Sequence, residues 1–244
     1  MPGYPMSIEK LAFFLSTEQE CSYLPGLKSA SVFADPNSHM NTATYSILID
    51  HGFRRSGNHV YRPHCPNCNE CKPTRVSTKA FQPNKNQKRV WKRNADLDVL
   101  ETKAEFKAEH FDLYKKYMHT RHEDGAMDHD DPARYFEFLR SSWCDTHFVE
   151  FRLNNQLVAV AVTDIVANGL SALYTFFDPD YSQRSLGTYA ILWQIHRAAE
   201  LNKPWLYLGY WIKNCDKMRY KNQFKPMEIW QNDKWIDLED ISNE

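Results

Sequence analysis

The 244-residue sequence has little glycine and proline, 8 and 12 residues, and almost no net charge, −1 at pH 7. That scarcity excludes collagen-like and low-complexity chains. No stretch approaches the roughly 18 consecutive apolar residues of a membrane helix, and residues 1–10 lack the basic start and apolar run of a signal peptide. There is no Gly-Lys pair, so no phosphate-binding loop of the ATPase type, and no Gly-x-Ser-x-Gly nucleophile turn. Internal repeats and Gly/Ser-rich linkers are also missing. What is there fills a core: 42% of residues are hydrophobic and 14% aromatic. A cytoplasmic, globular protein of one large or two small domains is expected.

The near-zero charge hides an uneven distribution. Between Lys72 and Ala95 stand eight basic residues and no acidic one: Lys72, Arg75, Lys79, Lys85, Lys88, Arg89, Lys92 and Arg93. The C-terminal residues 233–244 are acidic in turn, with Asp233, Asp237, Glu239, Asp240 and Glu244 against Lys234. A basic stripe on a neutral chain is either a solvated helix face or a polyanion site. Phe81 and Trp91 lie among its cations, and cations beside aromatic faces suit a single-stranded nucleic acid. Six cysteines are present, three of them at Cys65, Cys68 and Cys71. In a reducing compartment that spacing points to metal or redox chemistry rather than to disulfide bridges. Cys21 is a candidate fourth thiolate, and four would suit zinc or an iron–sulfur cluster. Cys144 and Cys215 read as core thiols.

The pattern predicts an α+β protein. Short strands are expected at 10–15, 29–34, 58–63 and 74–77, with a helix at 42–51 that Asn41 caps and a short basic helix within 84–94. A strand at 97–101, helices at 104–119 and 132–139, three strands at 147–153, 157–166 and 170–177, a long buried helix at 185–201 and a strand at 205–209 follow. A short helix at 214–220 and a hairpin over 227–236 complete the chain. A small N-terminal domain, residues 1–95, is expected before a larger domain, residues 96–244. The later order resembles the acyl-transferase fold of the GCN5-related N-acetyltransferases. In that fold a Gln/Arg-x-x-Gly-x-Gly/Ala loop holds the pyrophosphate of acyl-CoA at a helix N-terminus. Here the loop reads Gln183-Arg-Ser-Leu-Gly-Thr-Tyr189, and a phenol at Tyr189 is expected to crowd the phosphates. That argues against a CoA-dependent acetyltransferase.

The most specific stretch is Tyr61-Arg-Pro-His-Cys-Pro-Asn-Cys-Asn-Glu-Cys-Lys-Pro-Thr-Arg-Val76, followed by Phe81-Gln-Pro83 and Gln87-Lys-Arg-Val-Trp-Lys-Arg-Asn94. With Arg121-His-Glu-Asp-Gly125, Tyr207-Leu-Gly-Tyr-Trp-Ile212, Cys215-Asp-Lys-Met-Arg-Tyr-Lys221 and Phe224-Lys-Pro226, it resembles the arginyl- and leucyl-tRNA–protein transferases over nearly the whole chain. Length and motif set are similar to the short bacterial, leucine-transferring form. The resemblance implies transfer of leucine from leucyl-tRNA to proteins beginning with Asp or Glu, which marks them for degradation, without ATP. It also implies an iron–sulfur association, although Leu24 stands where related arginyl transferases carry a second ligating cysteine. A fixed guanidinium grips a carboxylate in bidentate fashion, so Arg75 is the expected clamp for the acidic N-terminus, with Arg121 and Lys221 as further candidates. His122 is a candidate general base. Tyr174, Tyr207 and Tyr210 are expected near the acyl-transfer cleft, where Tyr174 and Tyr210 would polarise the ester. Lys85, Lys88, Arg89, Lys92, Arg93 and Arg184 are expected to meet tRNA phosphates. Two alternatives remain: an arginyl transferase on the same scaffold, and a non-catalytic, cysteine-ligated nucleic-acid-binding module. The second leaves the long C-terminal match unexplained.

Overall fold

The computed structural model describes residues 11–121 and 131–241. Two antiparallel units open the chain. Strands β1 (Phe13–Leu15), β4 (Ser31–Ala34), β6 (His59–Pro63) and β5 (Arg54–Ser56) form a four-stranded sheet in that order, while β2 (Gln19–Glu20) and β3 (Lys28–Ser29) pair as a small ribbon. Helix α1 (Thr42–Asp50) starts as expected: the Asn41 side chain accepts from the Thr44 backbone N–H. Strands β2 and β5 were not expected, because two or three residues hardly display a period of two, and the strand expected at 29–34 is divided between β3 and β4.

The rest of the chain builds around one eight-stranded sheet, ordered β14-β13-β7-β12-β11-β10-β9-β8. Its strands are β7 (Lys72–Ser77), β8 (Asp98–Lys103), β9 (Asp145–Leu153), β10 (Gln156–Val166), β11 (Gly169–Phe177), β12 (Trp205–Trp211), β13 (Met227–Gln231) and β14 (Lys234–Asp237). All neighbours are antiparallel except β11 and β12, which run parallel. A parallel pair needs a crossover, and α5 (Leu186–Glu200) supplies it. Three antiparallel strands followed by a helical crossover to a parallel fourth is the acetyltransferase-like order expected from the sequence. Strand β7 comes from the cysteine-rich N-terminal part and lies between β12 and β13. Segments on both sides of residues 95/96 therefore share one sheet.

Strand β10 reads Gln-Leu-Val-Ala-Val-Ala-Val-Thr-Asp-Ile-Val and is buried along nearly its whole length, because both faces of the sheet are covered. On one face α5 and α2 (Lys85–Arg93) pack over Val149, Phe151, Leu170 and Leu206. On the other, α3 (Ala108–Arg121) and α4 (Pro132–Leu139) cover Phe148, Val160, Val162 and Phe176. Asp131 caps α4 through the Ala133 and Arg134 amides, with proline in the first turn. Short helices α6 (Asp216–Arg219) and α7 (Leu238–Ile241) flank the C-terminal hairpin.

The N-terminal sheet is locked to the large one by a fully buried ion pair. Arg55 of β5 meets Asp164 of β10 through Nε at 2.8 Å and Nη2 at 2.5 Å, with both side chains at 0% exposure. Thr146 and the Leu139 and Gly57 carbonyls take the remaining donors. A buried pair is tolerated only when satisfied in this way.

A candidate functional site at the fork between two parallel strands

Strands β11 and β12 pair over only three positions, Gly169↔Trp205, Leu170↔Leu206 and Ser171↔Tyr207. Beyond these, β11 stays with β10 across a bulge at Val162/Thr163, and β12 stays with β7 across one at Tyr207/Gly209. Bulges bend strands, and here they accompany the opening of a fork. Arg54 of β5 enters it, donating from Nη2 to the Ala172 carbonyl at 2.9 Å and from Nη1 to the Tyr207 carbonyl at 3.4 Å. Gly209 makes room: its φ is +79°, and a Cβ there would lie 3.2 Å from Arg54 Cζ. Lys221, in the 3-10 turn Tyr220–Gln223 after α6, donates from Nζ to the Tyr210 carbonyl at 2.5 Å and to Met218 Sδ at 3.5 Å. Both cations are 7% exposed. Burial, and then the charge of Arg54, bring the Lys221 pKa down to about 7. The Ser171 hydroxyl at the base of the fork is buried without a partner among the described residues.

Tyr210 OH stands 3.2 Å from both the Gly52 and Tyr61 carbonyls. Its single proton satisfies one at a time, and burial holds its pKa well above the usual phenol value. The hydroxyl is thus occupied by backbone rather than offered to an ester, which corrects its expected role as a polariser. Tyr174 donates to Met118 Sδ at 3.3 Å in the aromatic layer under α3, so it too is already engaged. Tyr207 OH bonds the Asp50 carboxylate.

The thiols border this site. Burial, followed by the neighbouring Cys65, Cys21 and Cys68, pushes the Cys71 thiol up to about 12. Cys65 and Cys68 face each other through a backbone bridge, Cys21 Sγ accepts from the Leu24 amide at 3.4 Å, and Cys65 Sγ reaches the Ala30 carbonyl at 3.7 Å. Among the described residues no three Cys, His, Asp or Glu side chains converge tightly enough to hold a metal ion. Beyond the tip of β12 a cavity of about 600 Å³ opens among Lys72, Trp211, Lys213, Arg219 and Asn222. The Trp211 indole N–H there is buried and unpartnered among the described residues.

Arg75 departs from its expected role as a free fork. Its Nε and Nη2 hold Glu228 Oε2 at 2.7 and 2.6 Å, Asp50 lies 3.6 Å from Nη1, and the guanidinium is stacked 3.6 Å from the Trp205 ring centroid and 4.3 Å from that of Trp235. The guanidinium is therefore paired with acids and stacked on indoles rather than standing alone. Arg121 ends α3 and its side chain, like the whole of His122, lies outside the described residues. Lys85, Lys88, Arg89, Lys92 and Arg93 are all exposed on α2, around a buried stripe of Gln87 and Val90. Trp91 lies against Tyr189 and His196, and Phe81 against Phe224. Arg184 is taken by Asp96 in bidentate fashion at 2.8 and 2.9 Å, which removes it from the phosphate set. Tyr189 is also corrected: its ring is buried against Phe151 and Trp91 rather than lying over the helix start. The loop before α5 is instead tied to the end of α2, through Arg93 to the Gln183 carbonyl and Asn94 to the Arg184 carbonyl.

Arg54 was missed in the sequence. Its signal was Phe53-Arg-Arg-Ser-Gly-Asn58, a hairpin cue in which adjacent arginines face opposite sides of a strand.

The sheet order and the α5 crossover are those of an acetyltransferase-like fold. Residues 19–89 match the family profile described as arginine-tRNA-protein transferase, N terminus, and residues 109–231 the profile for its C terminus. The chain belongs to the arginine-tRNA-protein transferase family. It is 50% identical over 229 residues to an aspartate/glutamate leucyltransferase of Nitrosococcus oceani, spanning 93% of this chain and 96% of that one. It is 48% identical over 231 residues to the enzyme of the same name from Pseudomonas fluorescens, spanning 95% and 98%. Among solved structures, L-PGS from Bacillus licheniformis shares 9% identity over 58% of this chain and 47% of that one, at a TM-score of 0.44. That likeness is too slight to carry an argument.

Proposed function

We propose that this enzyme transfers leucine from leucyl-tRNA to the N-terminal α-amino group of proteins beginning with Asp or Glu. The observation that carries the reading is the near-full-length identity of 48–50% to enzymes named aspartate/glutamate leucyltransferase. The cation-bearing fork agrees with it. The acceptor is its own nucleophile: an α-amino group has a pKa of about 7.7–8.0, so a useful fraction is neutral near pH 7. The amine attacks the ester carbonyl, the ribose oxygen leaves with a proton, and an amide forms. The ester is already activated, so no ATP is needed. Catalysis then rests on positioning the two substrates and stabilising the tetrahedral oxyanion. The exposed cations of α2 are proposed to track tRNA phosphates, and the acidic acceptor end is proposed to lie at the fork. A cytoplasmic location, where charged tRNA is found, belongs to the same reading.

The test compares leucyl-tRNA, arginyl-tRNA and acetyl-CoA as donors to one Asp-ended peptide, without ATP. Transfer from leucyl-tRNA at least tenfold faster than from arginyl-tRNA supports the reading. Faster arginine transfer, or acetylation without aminoacyl transfer, overturns it.

A further inference from the structure

The sequence pairs two arginines, and the structure treats them oppositely. Arg55 is met by Asp164 in a closed, fully buried pair. Arg54, one residue earlier and more than nine-tenths buried, has no carboxylate within salt-bridge distance among the described residues. Its two hydrogen bonds go to carbonyls and leave three of its five N–H groups without an acceptor among those residues. Lys221 is equally buried and equally without an acid. The two meet the same stretch of β12: Arg54 packs against Gly209 and donates to the Tyr207 carbonyl, and Lys221 donates to the carbonyl of the adjoining Tyr210. Two like charges, out of water and side by side, are unfavourable unless an anion joins them. A mere strand clamp would need the N–H groups but not the second cation.

The geometry points to a carboxylate subsite formed by Arg54 and Lys221 in the fork between β11 and β12, which binds the side chain of the acceptor's N-terminal Asp or Glu. This rests on the proposed acceptor class and names the residues that select it. A guanidinium offers a fixed planar fork, while an ammonium on a four-carbon stem adjusts its reach. Aspartate and glutamate differ by one methylene, which one rigid and one adaptable cation can follow. A neutral Asn or Gln end leaves both charges unpaired and is rejected on that ground. Depth argues against a nucleic-acid phosphate. The phosphates of a tRNA lie on a solvated backbone and suit the exposed cations of α2, whereas a single side chain can enter a site 7% exposed. Seating the carboxylate also restores the charged form of Lys221, so peptide binding and proton uptake are linked.

The test measures kcat/KM for Asp-ended and Asn-ended peptides with Arg54→Lys, Arg54→Met and Lys221→Met, alongside leucyl-tRNA affinity and thermal unfolding. The expected result for Arg54→Met is a fall of about a hundredfold in the Asp-over-Asn preference, the size of losing a buried charged partner. Leucyl-tRNA affinity should stay within twofold, and Arg54→Lys should recover part of the preference. Arg54 also bridges strands, so Lys221→Met, which leaves that bridge intact, must lose preference even if Arg54→Met fails to fold. An unchanged preference in folded Lys221→Met overturns the subsite. So does a loss confined to tRNA affinity, which would make the pair a phosphate site. Wild-type protein that moves no leucine defeats the proposed function instead, and wild-type activity with unaltered variants defeats only this inference.

Discussion

If α2 is the tRNA face, replacing Lys85, Lys88, Arg89, Lys92 and Arg93 with alanine removes five exposed charges and, with them, the Arg93 hydrogen bond to the Gln183 carbonyl. The apolar anchor of the helix, Val90 with the capping Gln87, points the other way and is untouched. Each lost phosphate contact lowers the slope of log affinity against log salt by about 0.7–0.9. Five together should flatten it by roughly 3.5–4.5. Between 50 and 200 mM salt, wild-type affinity should therefore fall about 100- to 500-fold further than that of the variant. Arg184 sets the control. Its guanidinium is already neutralised by Asp96, so Arg184→Ala should leave the slope within about half a contact of wild type. Filter binding or fluorescence titration with leucyl-tRNA at several salt concentrations, on protein shown folded by circular dichroism, gives both numbers. A quintuple variant with wild-type slope would remove tRNA from this face, and a large effect at Arg184 would refute the reasoning from ion pairing.

Two stability predictions follow from the buried charges. Arg55→Met leaves Asp164 charged at 0% exposure, and should cost about 3–5 kcal/mol, read as a drop in the urea midpoint at constant m-value. Replacing both partners with apolar residues should recover most of that loss. Glu150 is 1% exposed, and burial alone would raise its pKa, yet Lys107, Arg152 and His110 bring it from 4.5 down to about 2. A carboxylate depressed in the folded state stabilises above its unfolded pKa. About 3 kcal/mol should be present at pH 5 and above and be lost as pH falls from about 4.5 toward 2. Glu150→Gln should be weaker than wild type at pH 7 and converge with it below pH 3, and a constant gap between them would contradict the assignment.

The parts legible in the sequence were those set by near neighbours. Asn41 and Asp131 cap helices through amides two or three residues away, and cap chemistry is written locally. Strands β9 to β11 declared themselves by length and β-branched content. Helix α3 begins at Ala108 rather than 104, an offset that apolar spacing alone cannot correct. The site resisted for a different reason. Arg75 looked free because Glu228, its partner, lies 153 residues away, and Arg54 was missed because the carbonyls it meets are 118 and 153 residues away. Whether a cation is spent or available depends on such distant partners, and no window of sequence contains them. The insertion of β7 between β12 and β13 was hidden in the same way.

The central claim is a leucyl transfer to an acidic N-terminus, and the product itself tests it most directly. Purified protein is mixed with leucyl-tRNA and an Asp-ended peptide that also carries an internal lysine, without ATP, and the product is sequenced by fragmentation mass spectrometry. The account predicts one leucine in amide linkage to the N-terminal α-amine of the Asp-ended peptide, and none on an otherwise identical Asn-ended peptide. Leucine on the lysine side chain, equal modification of both peptides, or no transfer at all would contradict it.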